Sequence, residues 1–201
     1  MSLIRTTVTT TFVTIGYVAA AAAHAQGRLE EHGTGTRFVS EKYGFSIAVP
    51  RGWHVSLERD TPMFINFGSA SGASQLALPK GGASIVVIAQ DTLPGQRRLG
   101  NTPSDWAVAD ARGASAGSPS IQPLDMPKES EASNAVISSY DDATFSPDDQ
   151  SQHSVAIFWE FHRKLFAAHL TYVSRDPNGP SLEKLFIETV RSIRPRDKPQ
   201  R

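Results

Sequence analysis

The sequence predicts an α+β fold, a mostly antiparallel sheet with helices on both faces. Three observations predict it. Short stretches alternate apolar and polar residues with period two, the mark of a half-buried strand. Residues 153–174 hold two such runs in succession, long enough for a β ribbon. Two further segments, after Thr102 and after Pro180, carry apolar residues at helical spacing and must each bury one side.

The chain has 201 residues, with 20 Lys+Arg against 20 Asp+Glu, six His and no Cys. The zero balance lacks the basic footprint of a nucleic-acid binder, so no nucleic-acid partner is assigned. Without cysteine there is no disulfide, thiolate zinc site, Fe–S cluster or cysteine nucleophile. The first residues read as an export signal. Arg5 precedes an uncharged run, residues 6–23, that ends in the small-x-small pattern Ala23-His24-Ala25. Six threonines dilute that run, which argues against an uncleaved anchor of ~20 apolar residues. Cleavage after Ala25 is expected, leaving no membrane span and a periplasmic or secreted chain. Secretion without disulfides suits a bacterial periplasm better than a eukaryotic secretory pathway.

The organisation that follows is a flexible lead-in over 26–36, one domain over 37–195 and a charged tail over 196–201. Residues 37–40 read as a short strand and 41–44 as a turn. Phe45, Ile47 and Val49 then alternate with Ser46 and Ala48, and Pro50 ends that strand because it lacks the ladder N–H. Residues 63–67 form another strand. Ile85-Val86-Val87-Ile88 is a continuous apolar run, as expected of a strand covered on both faces. Thr102 is a helix N-cap, Pro103 fits the first turn and Asp105 complements the helix dipole. Residues 115–131, rich in Ser, Pro and Gly, read as a surface connection, and 132–140 as a strand.

In the ribbon, Val155, Ile157, Trp159 and Phe161 alternate with Ala156, Phe158, Glu160 and His162. Beyond Arg163-Lys164, Phe166, Ala168, Leu170 and Tyr172 alternate with Ala167, His169 and Thr171. A tip at Arg163-Lys164 sets Phe161 opposite Phe166, Trp159 opposite Ala168, Ile157 opposite Leu170 and Val155 opposite Tyr172. Burial of that all-apolar set fixes the register, since Arg-Lys is a poor hairpin turn. The last helix is capped by Ser181, shows the stripe Leu182, Leu185, Phe186, Thr189, Val190 and Ile193, and stops at Pro195. Phe158, Leu165 and Val173 lie on the ribbon's other face, so both faces need cover.

Tyr43-Gly44-Phe45-Ser46-Ile47 followed by Val49-Pro50-Arg51-Gly52-Trp53, with the strand-then-helix unit at 83–113, the long hairpin and the terminal helix, resembles the PsbP/Mog-type fold, including its bacterial DcrB-like members. The resemblance covers residues 36–195. It implies an α/β/α sandwich and a non-catalytic accessory or binding role; no photosystem or Ran-binding residue set carries over to positions here.

Candidate chemistry is sparse. Glu160 and His162 share a face of the ribbon, and the expected register puts His169 diagonal to Glu160. Two imidazoles and a carboxylate are the groups of a metal site or an acid–base pair. The structural reading of the same residues, a cross-strand polar pair with His162 solvated at the turn, weighs more. Trp53 and His54 form a second candidate binding corner. No metal, cofactor or catalytic residue is assigned. The expectation is a non-catalytic binding protein of the bacterial envelope with an unknown envelope protein as partner. The alternative is a small-molecule or metal-binding domain, or a weak hydrolase, using Glu160, His162 and His169.

Overall fold

The structure is a computed structural model that describes residues 27–33, 35–56, 63–69, 78, 82–92, 99–113, 120–142 and 151–196. The leader and its cleavage site lie outside the described residues, as do most of the Gly68–Ala73 loop, Arg97-Arg98 and Asp148-Asp149.

Two sheets form, and every pairing within them is antiparallel. The smaller contains β1 (Arg28–His32), β2 (Gly35–Ser40), β3 (Phe45–Ala48) and β11 (Arg194–Pro195), in the order β1-β2-β3-β11. The larger contains β4 (His54–Ser56), β5 (Met63–Gly68), β6 (Ala83–Ala89), β7 (Ser120–Pro123), β8 (Ser133–Asp142), β9 (Gln152–Phe161) and β10 (Lys164–Val173), in the order β4-β5-β6-β10-β9-β8-β7. The helices are α1 (Pro103–Gly113) and α2 (Gly179–Arg191).

The apolar run at 85–88 lies in β6, an interior strand, paired on one side with β5 and on the other with β10. Phe38, Phe45 and Ile47 of the small sheet, Phe186 and Val190 of α2, and Val155, Ile157, Trp159 and Phe161 of β9 share one core cluster. The opposite face of the large sheet carries a second cluster, in which Trp106 and Ala107 of α1 pack on Val136, Phe158 and Ala167. The helices therefore cover opposite faces of the large sheet, as the α+β reading requires. The small sheet shares the α2 side.

Local chemistry explains the ends of these elements. Thr102 Oγ accepts the Asp105 amide at 3.1 Å, and the Asp105 carboxylate accepts the Asn101 amide at 3.3 Å, a reciprocal cap. Gly52 takes φ +79°, which lets the Trp53 amide fold back to the Pro50 carbonyl at 3.0 Å. Helix α2 begins two residues before Ser181; Asn178 occupies the cap position without a side-chain bond, and Pro180 sits within the first turn. A Cβ on Gly179 would lie 2.9 Å from the Tyr172 ring, so the helix start and the β10 aromatic require glycine there.

Several expectations need correction. Residues 28–32 fall in the expected flexible lead-in, yet they form β1, paired along its length with β2. Part of the 115–131 connection is edge strand β7 followed by a 3-10 turn at Lys128–Ser130. Pro195 does not end α2, which stops at Arg191; Pro195 pairs with Phe45 in β11. The ribbon register differs by two residues. Lys164 faces Phe161, Phe166 faces Trp159, Ala168 faces Ile157, Leu170 faces Val155 and Tyr172 faces His153. A tight turn of His162 and Arg163, both left-handed at φ +50° and +61°, makes this possible. A two-residue shift leaves every side chain on its original face, which is why Val155, Ile157, Trp159 and Phe161 still point inward together.

Candidate functional site

The corrected register separates the residues proposed for chemistry. Glu160 stands opposite Leu165, whereas His169 stands opposite Ala156, four positions or ~13 Å along β9. The Phe158 ring lies between, edge-on to the His169 ring at 5.7 Å. Glu160 accepts a hydrogen bond from Asn134 at 3.1 Å. His162 sits exposed at the turn and pairs with Glu131 at 3.1 Å. Trp53 is partly buried against the main core, and His54 is exposed on edge strand β4, paired with Gly68. That residue row continues through Ser84, Thr171 and Ser154, far from the His162 turn. Among the described residues, no group of three or more His, Cys, Asp or Glu side chains is arranged to hold a metal ion.

His169 belongs instead to a buried polar face. Ser84, Ser138, Ser154, His169 and Thr171 are all buried, and the pairings align them on two adjacent rows. Asp110 of α1 accepts the Tyr140 hydroxyl at 2.8 Å and reaches to 3.9 Å of His169 Nδ1. Among the described residues, Ser138 Oγ, Thr171 Oγ1 and His169 Nδ1 have no hydrogen-bond partner. Ser138 is two strands from His169, ~10 Å, so its hydroxyl is not joined to the imidazole.

A second polar cluster lies at the open end of the ribbon, where sequence pattern gave no signal. His153 Nδ1 meets Asp141 at 2.8 Å, and Ser174 donates to the same carboxylate oxygen at 3.2 Å. Tyr172 donates to Glu183 at 2.6 Å. The hydrogen bond with His153 is the largest influence holding the Asp141 carboxyl below its ordinary pKa. Burial, then the Glu183 carboxylate, push the Tyr172 phenol up. Ser174 bonds the aspartate rather than the histidine, so this is not a nucleophile–base–orienter relay.

At the turn end, Tyr43 donates to Asp91 at 2.7 Å and Lys164 to the other carboxylate oxygen at 3.1 Å. The ammonium groups of Lys42 and Lys164 lie 4.7 and 5.0 Å from the Tyr43 ring centroid. Burial opposes ionisation of Asp91, but hydrogen bonds from Tyr43 and Lys164 outweigh it and hold its pKa low. The same burial and hydrogen bond raise Tyr43. A cavity of about 280 Å³ beside this cluster is lined by Asp91, Asn101, Glu160, Arg163 and Lys164 among others.

A concavity of about 480 Å³ lies on the outer face of the small sheet. Arg37, Val39, Ser46 and Arg194 line it, and the pairings put all four on that face. Arg37 donates to the Ser46 hydroxyl at 3.0 Å, the Ser46 carbonyl at 3.1 Å and the Ser192 carbonyl at 2.6 Å. Arg194 donates to the carbonyls of Arg191 and Ile193 at 2.9 and 2.7 Å. The two guanidiniums thus grip the carboxyl end of α2, where the helix dipole favours cations. Sequence reasoning missed this site because Arg194 reaches it only through β11, which reads as a helix tail.

The fold is an antiparallel two-sheet α+β domain whose helices sit on opposite faces of the larger sheet, with no described helix long and apolar enough to cross a membrane. No family model matches the chain, and no curated protein does. Similar solved structures include the cyanobacterial PsbP of Synechocystis, at 16% identity and TM-score 0.44 over 83% of this chain and 97% of that one. The Ran-binding protein Mog1p of Saccharomyces cerevisiae is similar at 8% identity and TM-score 0.46, over 85% of this chain and 97% of its own. LpqN of Mycobacterium tuberculosis, involved in cell envelope biogenesis, is similar at 14% identity and TM-score 0.43, over 86% of this chain and 91% of its own.

Proposed function

We propose that this is an exported, non-catalytic accessory domain of a bacterial envelope that acts by contact with a protein partner. The observation carrying the reading is the dispersal of the chemically apt side chains. Glu160 is spent on Asn134, His162 on Glu131, His153 on Asp141 and Asp91 on Tyr43 and Lys164. Each is a structural tie between neighbouring elements. The leader ending at Ala25 supports export, and the resemblance of residues 43–53 to PsbP/Mog-type and DcrB-like proteins supports an accessory role.

Export is tested by intact mass of the chain recovered from the envelope. A start at Gln26 is expected, and retention of Met1 overturns export. Contact is tested by cross-linking in envelope fractions followed by reconstitution with the purified partner. Co-elution at fixed stoichiometry is expected. A chain that stays alone, or saturable hydrolysis abolished by His169→Ala, overturns the reading.

A second reading, small-molecule binding, moves from the original three residues to His169, Thr171 and Ser138, whose buried polar atoms are unpartnered among the described residues. Its test is whether Thr171→Val abolishes uptake of a polar ligand found by thermal-shift screening.

A further inference from the structure

We infer that the cleft on the outer face of the small sheet binds a phosphate monoester group between Arg37 and Arg194, with Arg196 at its edge. Glu41 pairs with both Arg28 and Arg196, and Arg28 also pairs with Glu30, so these four charges form a balanced chain along the rim. Arg37 and Arg194 stand outside it. Their bonds go to a hydroxyl and to backbone carbonyls, which satisfy N–H groups without neutralising a full charge. Two carboxylates also line the cleft: Glu30, opposite Arg37 on β1, is paired with Arg28, and Glu31 accepts the Thr36 hydroxyl at 3.1 Å.

Two cations held side by side repel. Burial, and then the charge of Arg194, lower the pKa of Arg37. A ligand that relieves this should carry close to two negative charges. A phosphate monoester carries about −1.5 to −2 at neutral pH, whereas a carboxylate carries one. Among the described residues, Nη1 of Arg37 and Nε and Nη2 of Arg194 make no hydrogen bond, which leaves planar donor edges suited to phosphate oxygens. The cleft of about 480 Å³ has room for the group and the organic moiety that carries it. The inference does not depend on the proposed protein contact.

The test is a titration of the isotope-labelled full chain with glycerol phosphate, reading amide shifts, with glycerol and acetate as controls. Vesicles of phosphatidic acid, against phosphatidylcholine, form a second arm. Saturable shifts at Arg37, Val39, Ser46 and Arg194 are expected, weakening as NaCl is raised. Arg194→Gln should weaken binding about tenfold, the effect of one lost charge-assisted contact. Selective retention on phosphatidic acid alone, lost in Arg194→Gln, would mean that the group arrives on a lipid. Lack of binding in both arms, shifts confined to other residues, affinity for acetate equal to that for the phosphate, or full affinity in a folded Arg194→Gln chain each overturns the inference. The salt dependence and the map of shifts come from the unaltered protein, so they decide the matter even if the variant fails to fold.

Discussion

The two faces of the β9–β10 ribbon are built on different rules. One is apolar along its middle: Val155, Ile157, Trp159, Phe161, Phe166, Ala168 and Leu170 are sealed beneath the small sheet and α2, with His153 and Lys164 at the two ends. The other is mixed: Phe158, Ala156 and Ala167 join the cluster of Trp106, but Glu160 and His162 lie beyond them at the turn, and Ser154, His169 and Thr171 towards the open end are also buried. An apolar face gains from burial whatever its exact partners, because the hydrophobic effect is non-directional. A buried polar face gains only when each group meets a particular partner. The first face therefore determines stability, and the second determines which arrangement of strands is tolerated.

The largest effect should come from the apolar face. Trp159 is 1% exposed and stacked on Phe166 at 5.7 Å, so Trp159→Ala should cost ~3–5 kcal/mol in denaturant unfolding. Trp53, only partly buried at the margin of the same core, should cost ~1–2 kcal/mol when cut to alanine. Equal losses at the two positions would dissolve the distinction between centre and margin. On the polar face the sign reverses. Thr171→Val removes a buried hydroxyl that has no described partner, so it should stabilise by ~1 kcal/mol; a loss would reveal a bond to that hydroxyl.

Smaller still is the turn. His162 and Arg163 hold left-handed backbone that Asn-Gly adopts more readily, so replacing the pair with Asn-Gly should raise stability by up to ~1 kcal/mol with the register unchanged. A change in cross-strand contacts between Trp159 and Phe166 would show that the turn, not burial, sets the pairing.

The pH dependence follows from Tyr43 and Asp91. The Asp91 carboxyl is lowered on folding, so its contribution is full above the ordinary carboxyl pKa and is lost as pH falls through the folded value. The Tyr43 phenol is raised on folding, so its contribution is full below the ordinary phenol pKa and is lost as pH climbs from there towards the folded value. Tyr43→Phe should flatten the alkaline limb of stability against pH, and an unchanged limb would show that the Tyr43–Asp91 bond does not couple to folding.

Much of the fold was legible because period two and period 3.6 report burial directly. The β6 run, the Thr102 cap and the inward set of β9 all follow from which residues must leave water. The register was not legible, because pairing Trp159 with Ala168 or with Phe166 satisfies an apolar face equally well, and His-Arg lacks the glycine or asparagine that marks a tight turn. With the register went the candidate site: moving the pairing by two residues parts Glu160 from His169. β1 escaped notice because Arg28–His32 is almost wholly polar, and an edge strand with one exposed side needs little else. The Arg37–Arg194 cleft joins residues from opposite ends of the chain, which no local pattern can announce.

The bond from Arg37 to the Ser192 carbonyl spans 155 positions, and β11 adds the end of the described chain to a sheet whose other strands come from its start. Such a closure delays the slowest contacts until synthesis has passed residue 195, since distant pairing carries the greatest loop entropy. Until then β1, β2 and β3 can pair with one another, but β3 lacks its second neighbour.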